Sequence, residues 1–418
     1  MECEIIKTES NSITIQVTIP LRDEMLSTEE AIQEGVNQAG LVATRYALSR
    51  FDTDGSSIIV GEKKYTSKGQ HTKAYQCPFG EFELCRHVYQ SNEGGSTHCP
   101  LDNDARILVF STPKFAKMVS QKYSQSGSKQ VQRDLKENHG RFISRTYIQD
   151  ISDAVGNVAS SKPWKYTTDV QPSDVSTICI SLDGTCMLLR HDGWRQAMVG
   201  SISLYDHEGE RLHTTYIAQA PEYGKETFFN DFTKEIETVK KTYLGKTYVG
   251  VADGAAENWK FLESFVDKQV LDFYHATEYL AKVSRAVFKC KFDGQEWLKQ
   301  SCHILKHEDD GAKILLEVMK NLMKKKINNQ KKEEIDTAVT YFTNHLTQMN
   351  YADYLSKNLP IGSGVIEAAC KVIIKQRMCK SGMRWTEKGA KNVLVIRCFN
   401  ETDGKWKQFW NKVTKMGY

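Results

Sequence analysis

Apolar and polar positions alternate in some segments of this chain and recur at helical spacing in others. Every second residue from 13 to 19 is apolar, which predicts a half-buried strand. Residues 27–30, Ser-Thr-Glu-Glu, have the pattern of a capping box and predict a helix to about Arg50. Residues 52–89 are again strand-like. We therefore predict an N-terminal α+β region over residues 1–110.

Residues 111–160 have apolar residues at helical spacing and two serines placed as helix caps, Ser128 and Ser144. Three helices with a glycine-containing turn before the third are typical of a helix-turn-helix-like DNA-binding unit, whose last helix lies in the major groove. A plain three-helix packing unit fits the pattern equally well. For the DNA-binding interpretation we predict contacts from Arg133, Arg141, Arg145 and Gln149.

After a polar linker at 161–173, the pattern predicts an α/β domain. Strands are predicted at 176–189, 196–205, 211–219, 246–252 and 270–273, with a helix at 226–243 between the third and fourth. The following stretch, 281–359, is helical and too long to be a loop within a compact domain. We therefore predict a domain in two parts, 174–280 and 360–418, that are separated by an all-helical insertion.

Three acidic residues have a setting that favours a two-metal phosphoryl-transfer site. Asp183 and Asp253 each follow an apolar run, and Glu367 lies just inside a helix that residues 360–364 open. Strand ends hold carboxylates rigidly, and Mg²⁺ prefers oxygen ligands while keeping positions open for phosphates. Two such ions can hold the attacking and leaving oxygens of an in-line displacement. Taken singly, each residue is better explained as an ordinary loop acid.

Two longer blocks resemble a known family. Residues 251–259, VADGAAENW, with 272–280, DFYHATEYL, resemble the second-aspartate region of bacterial ISKra-type insertion-sequence transposases, which are DDE enzymes allied to the Mutator-like group. Residues 360–371 with 375–385 resemble the block around that family's catalytic glutamate. The resemblance covers most of the chain. It implies an RNase H-like catalytic domain, a mixed sheet flanked by helices, that cuts and joins DNA.

The resemblance also implies a set of site residues. Two Mg²⁺ or Mn²⁺ ions would be held by Asp183, Asp253 and Glu367. Asp272 and His275 match the Cys/Asp-x-x-His signature of the Mutator-like group, and His275 would contact the scissile phosphate or transfer a proton. The alternative is a helix-capping aspartate and a buried, hydrogen-bonded histidine.

Basic residues are concentrated in two segments although the chain has a net charge of only +4. Residues 366–418 hold twelve Lys/Arg against four Asp/Glu, and residues 114–150 hold eight against three. Such patches suit a polyanion, although a solvated surface is the alternative. We predict DNA contacts from five residues of the last segment, with a place in the core as the competing interpretation for the tryptophan: Lys371, Lys375, Arg377, Arg384 and Trp385.

Composition narrows the class of protein further. A chain of 418 residues suggests two to four domains. No run of eighteen apolar residues predicts a membrane span, and the first residues lack a secretory pattern. Eleven cysteines without a Cys-x-x-Cys pair suggest reduced thiols and a cytoplasmic protein. The resemblance to bacterial transposases implies a bacterial, nucleoid-associated protein. The group Cys77, Cys85, His87, His98 and Cys99 lacks usual zinc spacings, so β-rich packing is favoured there.

We therefore predict a DNA transposase with terminal inverted repeats and target DNA as its partners. DDE enzymes of this kind act as synaptic multimers, so a homodimer or higher multimer is expected on DNA. One alternative is an RNase H-like nuclease or resolvase that only hydrolyses. Another is a non-catalytic DNA-binding protein derived from a transposase, which the complete acidic triad disfavours because a binder does not need it.

Overall fold

The computed structural model describes residues 2–324 and 328–418, and the chain divides into two compact units. Unit 1 comprises the chain up to Tyr166 together with Lys391–Asn400 and Gly404–Tyr418. Unit 2 comprises Thr167–Ala390 and Glu401–Asp403. The first division lies close to the predicted linker. The last residues differ from the prediction, because most of the segment after residue 390 belongs to unit 1 rather than to the α/β domain.

Unit 1 begins with two antiparallel sheets and one long helix. The elements in chain order are β1 (Cys3–Thr8), β2 (Ile13–Val17), α1 (Met25–Ser49), β3 (Ile58–Val60), β4 (Lys63–Cys77), β5 (Gly80–Ser91) and α2 (Pro100–Asp104). Strand β1 pairs with β2, and β3, β4 and β5 form a three-stranded meander. Its inner face buries Tyr75, Phe82 and Leu84 against Leu48 and Leu101.

The predicted capping box is wrong in its details. Helix α1 begins at Met25, two residues before Ser27, and its N-cap is Glu24. The hydroxyl of Thr28 bonds the backbone of Arg22 instead, and so fixes the chain just before the helix. The predicted end is correct, since Arg50 is the C-cap.

The three predicted helices of residues 111–160 are present as α3 (Pro113–Gln125), α4 (Ser128–His139) and α5 (Arg145–Ser161). Ser144 caps α5, because its Oγ accepts a hydrogen bond from the Tyr147 N–H at 3.1 Å. The predicted inward residues are buried: Phe115, Val119, Val131, Leu135, Ile148, Ile151 and Val155. The three helices predicted from spacing are thus present, but the predicted cap Ser128 is wrong, since Gly127 is the N-cap of α4. Binding of this unit to DNA stays a prediction.

Gly156 allows α5 to approach the segment that contains Asn392 closely. A Cβ atom there would lie 2.6 Å from Asn392 Cβ and 2.7 Å from Asn392 Cα. We expect Gly156→Ala to lower the free energy of unfolding by about 2 kcal/mol, since overpacking outweighs the helix propensity that alanine gains over glycine. The midpoint of urea unfolding measures this. Exposed Asn157→Ala, on the same helix, is the control and should change stability by less than about 0.5 kcal/mol. A midpoint for Gly156→Ala at or above that of the unsubstituted protein would contradict the close approach.

Unit 2 is built on a five-stranded mixed sheet flanked by helices. The first elements are β6 (Thr177–Leu189), β7 (Gly193–Tyr205), β8 (Arg211–Gln219), α6 (Glu226–Thr242), β9 (Thr247–Ala252), α7 (Ala256–Leu262) and β10 (Lys268–Leu271). The strand order is β10-β9-β6-β7-β8, with β6, β7 and β8 antiparallel and β9 and β10 parallel to β6. Residues 177–182 are all buried, so β6 shows a continuous apolar run rather than alternation.

The stretch after β10 is helical. It contains α8 (Phe273–Val287), α9 (Lys291–His307), α10 (Gly311–Met323), α11 (Asn329–Asn344), a 3₁₀ turn (Leu346–Gln348) and α12 (Tyr351–Ser356). No strand lies among the described residues of 281–359, and residues 325–327 lie outside the described part. These helices share one hydrophobic core with the sheet, since Leu315, Met319 and Phe342 pack in the same cluster as Val249 and Ile180.

The last elements are α13 (Gly364–Ala369), a π-helical turn (Cys370–Lys375), α14 (Gln376–Met378), α15 (Glu387–Glu401) and α16 (Lys405–Met416). The first three form one continuous helical rod of unit 2 that carries Glu367 near its start. Residues 391–400 and α16 belong to unit 1, where Phe399 and Phe409 pack on Tyr166 and Trp164. In the described part of the chain, no helix has both the length and the apolar character of a membrane span.

Candidate active site

The parallel strands of unit 2 bring three aspartates to one level of the sheet. Ser181 of β6 lies opposite Val251 of β9, and Leu271 of β10 lies opposite Ala252. The residues that follow in both registers are Asp183, Asp253 and Asp272, here called the acidic row. The Asp272 N–H donates to the Ala252 carbonyl at 2.9 Å, which extends the ladder between β9 and β10 by one residue. The pairing of β6 with β9 ends at Ser181, two residues before Asp183, and the negative charge of Asp253 acts on the Asp183 carboxyl.

Asp183 lies within β6 rather than at its end, since the strand continues to Leu189 after the parallel pairing with β9 stops at Ser181. Its Oδ1 accepts the Gly184 N–H at 2.6 Å, and Cys370 Sγ lies 3.5 Å from its Oδ2. Burial raises the pKa of the Asp183 carboxyl, and the negative charge of Asp253 acts in the same direction. A positive charge close to Asp183 and Asp253 would therefore stabilise the ionised forms of both carboxyl groups.

Asp253 directly follows β9, as predicted. Its Oδ1 accepts hydrogen bonds from the Ala255 N–H at 3.2 Å and from Asn258 Nδ2 at 3.3 Å, which fix the loop that opens α7. The Tyr341 hydroxyl donates to its backbone carbonyl at 2.9 Å. Tyr341 stacks on Tyr279 with ring centroids 3.9 Å apart. Helices α8 and α11 therefore brace the position of Asp253.

Asp272 is fully buried and holds two segments together. As N-cap of α8 its Oδ1 accepts the His275 N–H at 2.8 Å, and its Oδ2 accepts the N–H of Ser363. Burial opposes ionisation, but the hydrogen bonds from His275 and Ser363 outweigh it and lower the pKa of Asp272. The Ser363 Oγ in turn donates to Glu367 Oε1 at 2.9 Å. This chain of bonds fixes the start of α13 against the end of β10.

The His275 ring lies between two carboxylates, and its Nδ1 makes no hydrogen bond to either. Its Nδ1 is 3.5 Å from Asp272 Oδ1 and 4.0 Å from Glu367 Oε1, and no partner meets hydrogen-bond geometry although the atom is buried. The Asp272 carboxylate raises the pKa of His275 to about 9. The alternative of a helix-capping aspartate is thus correct for Asp272, whereas His275 is not a hydrogen-bonded core histidine.

The residues that lie close enough to share one metal ion differ from the predicted triad. Among the described residues, the only such group is Asp272, His275 and Glu367, whose ligand atoms all lie within 4.8 Å of one another. This Asp-His-Glu cluster contains one member of the predicted triad. Asp183 is connected to it through Cys370, three residues after Glu367 on the same helical rod. Convergence of Asp183, Asp253 and Glu367 on one ion stays a prediction.

Six of the nine predicted DNA contacts are exposed, namely Arg133, Arg145, Gln149, Lys371, Lys375 and Arg384. The other three are buried, which corrects the prediction for them. Arg141 donates to the Cys77 carbonyl at 3.2 Å and to the Gln76 side chain. Arg377 lies over the Trp385 ring at 4.9 Å, and Trp385 Nε1 donates to the Met378 carbonyl at 2.9 Å. Arg141 and Trp385 therefore donate hydrogen bonds to backbone carbonyls, and Arg377 lies over the Trp385 ring. None of these three side chains is available to a phosphate or a base.

Local pattern missed Ser363, Cys370 and Tyr341. Ser363 stands four residues before Glu367, a spacing that could have indicated a side-chain contact at a helix start. Cys370 stands one helical turn after Glu367. Tyr341 had no local signal, since 88 residues separate it from Asp253. The N-terminal Cys and His residues form no metal cluster within the described chain; His87 Nδ1 lies 3.0 Å from Asp52 instead.

Comparison with known proteins leaves the family open. No protein-family model matches this chain, and no curated protein is significantly similar to it in sequence. A similar solved structure is the crystal structure of A. aeolicus Argonaute, with 14% sequence identity and a TM-score of 0.17. The alignment covers 38% of this chain and 23% of the Argonaute chain. At that TM-score the similarity carries no argument about fold or function.

Proposed function

We propose that this protein is a DNA transposase of the ISKra-like DDE class, with an RNase H-like catalytic domain in unit 2. The observation that carries the proposal is the acidic row, with Glu367 on a helical rod beside it. Asp183, Asp253 and Asp272 follow the paired positions of β6, β9 and β10, which supports a shared site, and Cys370 connects Asp183 to the turn that follows Glu367. Three antiparallel strands, a helix and two further parallel strands support the RNase H-like assignment.

Residues of the site fit a divalent cation. Carboxylate oxygens of Asp183, Asp253 and Glu367 are suitable ligands for Mg²⁺. The same carboxylate oxygens also suit Mn²⁺. His275 Nδ1 is a buried nitrogen without a hydrogen-bond partner, 4.0 Å from Glu367 Oε1. Bound divalent ions would activate a water or 3′-hydroxyl and stabilise the leaving oxygen.

The chain's own residues have distinct roles in this proposal. Asp183 and Asp253 supply fixed negative charge, because backbone N–H groups hold one oxygen of each carboxylate. Asp272 positions His275 and Ser363, and Ser363 orients Glu367. His275, 37% exposed at its side chain, can reach a phosphate oxygen and transfer a proton to it. Exposed Lys371 and Lys375 lie beyond Glu367 and would neutralise the DNA backbone.

The proposal is tested with purified full-length protein and a plasmid that carries the DNA flanking its own gene. We expect nicks at defined positions, with Mg²⁺ or Mn²⁺ required, and joining of the 3′ ends to a second DNA. End mapping by sequencing locates both events, and light scattering on paired ends should give at least a dimer mass.

The outcomes separate the candidate functions. Cleavage without joining would support the hydrolytic nuclease or resolvase. Binding to the flanking DNA without any metal-dependent cleavage would overturn the catalytic proposal and favour a DNA-binding protein.

A further inference from the structure

A second site candidate lies in unit 1, away from the acidic row along the chain. A cavity of about 490 Å³ opens between strands β4 and β5, the loop before α3 and the start of α5. Its volume is in the range of ligand pockets, about 300–1,000 Å³. Six of its lining residues supply the chemistry considered below: Lys73, Gln76, Glu81, Phe110, Phe142 and Tyr147.

Phe142 presents an aromatic ring to solvent at the rim of this cavity. The side chain is 71% exposed, although its neighbours Arg141 and Ile143 are both buried. The Ile143 carbonyl accepts a hydrogen bond from Gln132 Nε2 at 2.7 Å, so the backbone that carries the ring is fixed. Exposure of a phenyl ring to water is unfavourable for the folded protein. Because the backbone here is fixed, the ring offers a surface on which another ring can stack with little loss of conformational entropy.

Phe110 forms part of the cavity wall and has a strained backbone conformation. Val109 and Phe110 have φ values of 50° and 57°, which a β-branched residue such as valine rarely adopts. The strain is held by hydrogen bonds to both carbonyls, since the Tyr147 hydroxyl donates to Val109 at 2.7 Å and the Gln76 N–H donates to Phe110 at 2.9 Å. Strain maintained in this way is typical of ligand sites. Lys73 Nζ lies 3.7 Å from the centre of the Phe110 ring, so a cation occupies this wall.

A chain of polar side chains fixes an acceptor in the cavity. Buried Arg141 donates to the oxygen of the Gln76 amide, and the Gln76 nitrogen donates to Glu81 Oε2. Glu81 is an exposed residue, and in the described part of the chain the hydrogen bond to its side chain is made by Oε2, which leaves Oε1 for a ligand. Arg141, predicted to contact phosphate, thus orients a carboxylate instead. The cavity combines a stacking ring, a cation and an oriented acceptor.

We propose that this cavity, here called the base cavity, binds one unstacked nucleobase of a DNA strand, and that the base is one with an exocyclic amino group: adenine, cytosine or guanine. The base stacks on Phe142, its amino group donates to Glu81, and Lys73 contacts the adjoining phosphate. Carboxylates accept hydrogen bonds from such amino groups, whereas thymine offers only carbonyl oxygens and a ring N–H. The site rests on the proposed function only in taking DNA as the polymer.

The test measures binding of fluorescent ten-nucleotide strands to the full-length protein in EDTA, where metal-dependent cleavage cannot occur. We expect oligo-dA and oligo-dC to bind more tightly than oligo-dT. Phe142→Ala should weaken binding of oligo-dA by about 10-fold, the order of one stacking contact. Phe292→Ala removes a phenyl of similar exposure, 75%, from unit 2 and should leave binding unchanged. Glu81→Gln should remove the preference over oligo-dT without weakening oligo-dT itself.

Several results would overturn the base cavity. They are wild-type affinity of Phe142→Ala, equal losses in Phe142→Ala and Phe292→Ala, and equal binding of oligo-dT and oligo-dA by the unsubstituted protein. If added heparin displaces oligo-dA and Phe142→Ala has no effect on binding, the surface binds polyanions through charge alone. Failure of the plasmid cleavage assay with intact oligo-dA selectivity would reject the transposase and leave the base cavity standing.

Discussion

Asp183→Asn is expected to reduce metal-dependent strand cleavage by about 10³-fold or more, the scale for one member of a catalytic unit that acts together. The amide keeps the shape of the side chain and can still accept the Gly184 N–H, but it removes the negative charge beside Asp253. Folding should be little affected, because loss of a carboxylate whose pKa is raised by burial relieves a desolvation cost. Initial rates of plasmid nicking in Mg²⁺ and Mn²⁺ measure the effect.

The matched control is Asp174→Asn, an exposed aspartate shortly before the same strand. It should cleave at the unsubstituted rate. Glu367→Gln should lose activity to the same extent as Asp183→Asn while retaining DNA binding in EDTA. Wild-type cleavage by either Asp183→Asn or Glu367→Gln would falsify the assignment of that residue to the active site.

The second large effect is on stability. Asp272→Ala is expected to lower the free energy of unfolding by about 3 kcal/mol, since it leaves one buried and one partly buried N–H group without an acceptor and removes a helix N-cap. Those donors are the N–H groups of His275 and Ser363. Asp272→Asn keeps one acceptor oxygen and should cost about half as much. Urea midpoints at constant slope measure both, and amide exchange at residues 363 and 275 should become faster.

Asp293→Ala is the control for that substitution. It also removes an aspartate from the first turn of a helix, α9, but one that is exposed, so its effect should stay within about 0.5 kcal/mol. Equal stability of Asp272→Ala and the unsubstituted protein would show that Asp272 does not hold α8 against the start of α13.

Periodicity predicted the strands of unit 2 closely, because buried parallel strands carry continuous apolar runs whose ends are marked by polar residues. The predicted strand at 246–252 is β9 at Thr247–Ala252, for example. The level shared by Asp183, Asp253 and Asp272 could not be predicted in this way. It depends on which strands pair and in what register, and the local pattern of apolar and polar residues determines neither.

The burial of individual polar side chains was the second property that the sequence did not predict. Arg141 and Arg377 occur in basic segments and look like phosphate contacts by composition, yet each is 6% exposed or less. Partners distant in the chain decide this, since Arg141 meets the Cys77 carbonyl 64 residues away. Trp385 is similar, because its backbone pairs with Leu188 of β6 and its ring then packs inward. Local charge predicts the sign of a surface but not which side chains form it.

The π-helical turn at Cys370–Lys375 sets a limit on how the length of this segment can vary. A π turn closes its hydrogen bonds over one more residue than an α turn does, so it accommodates a residue that a regular helix would not. Loss of one residue there would turn the rod into a regular α-helix and leave the faces of the following residues nearly unchanged, because the residue that the π turn absorbs is the one removed. Gain of a further residue would instead rotate everything after it by about 100°, and Arg377 and Met378, which are buried, would leave the interior. Related chains that keep this architecture should therefore tolerate the loss of one residue in the turn but not the gain of one.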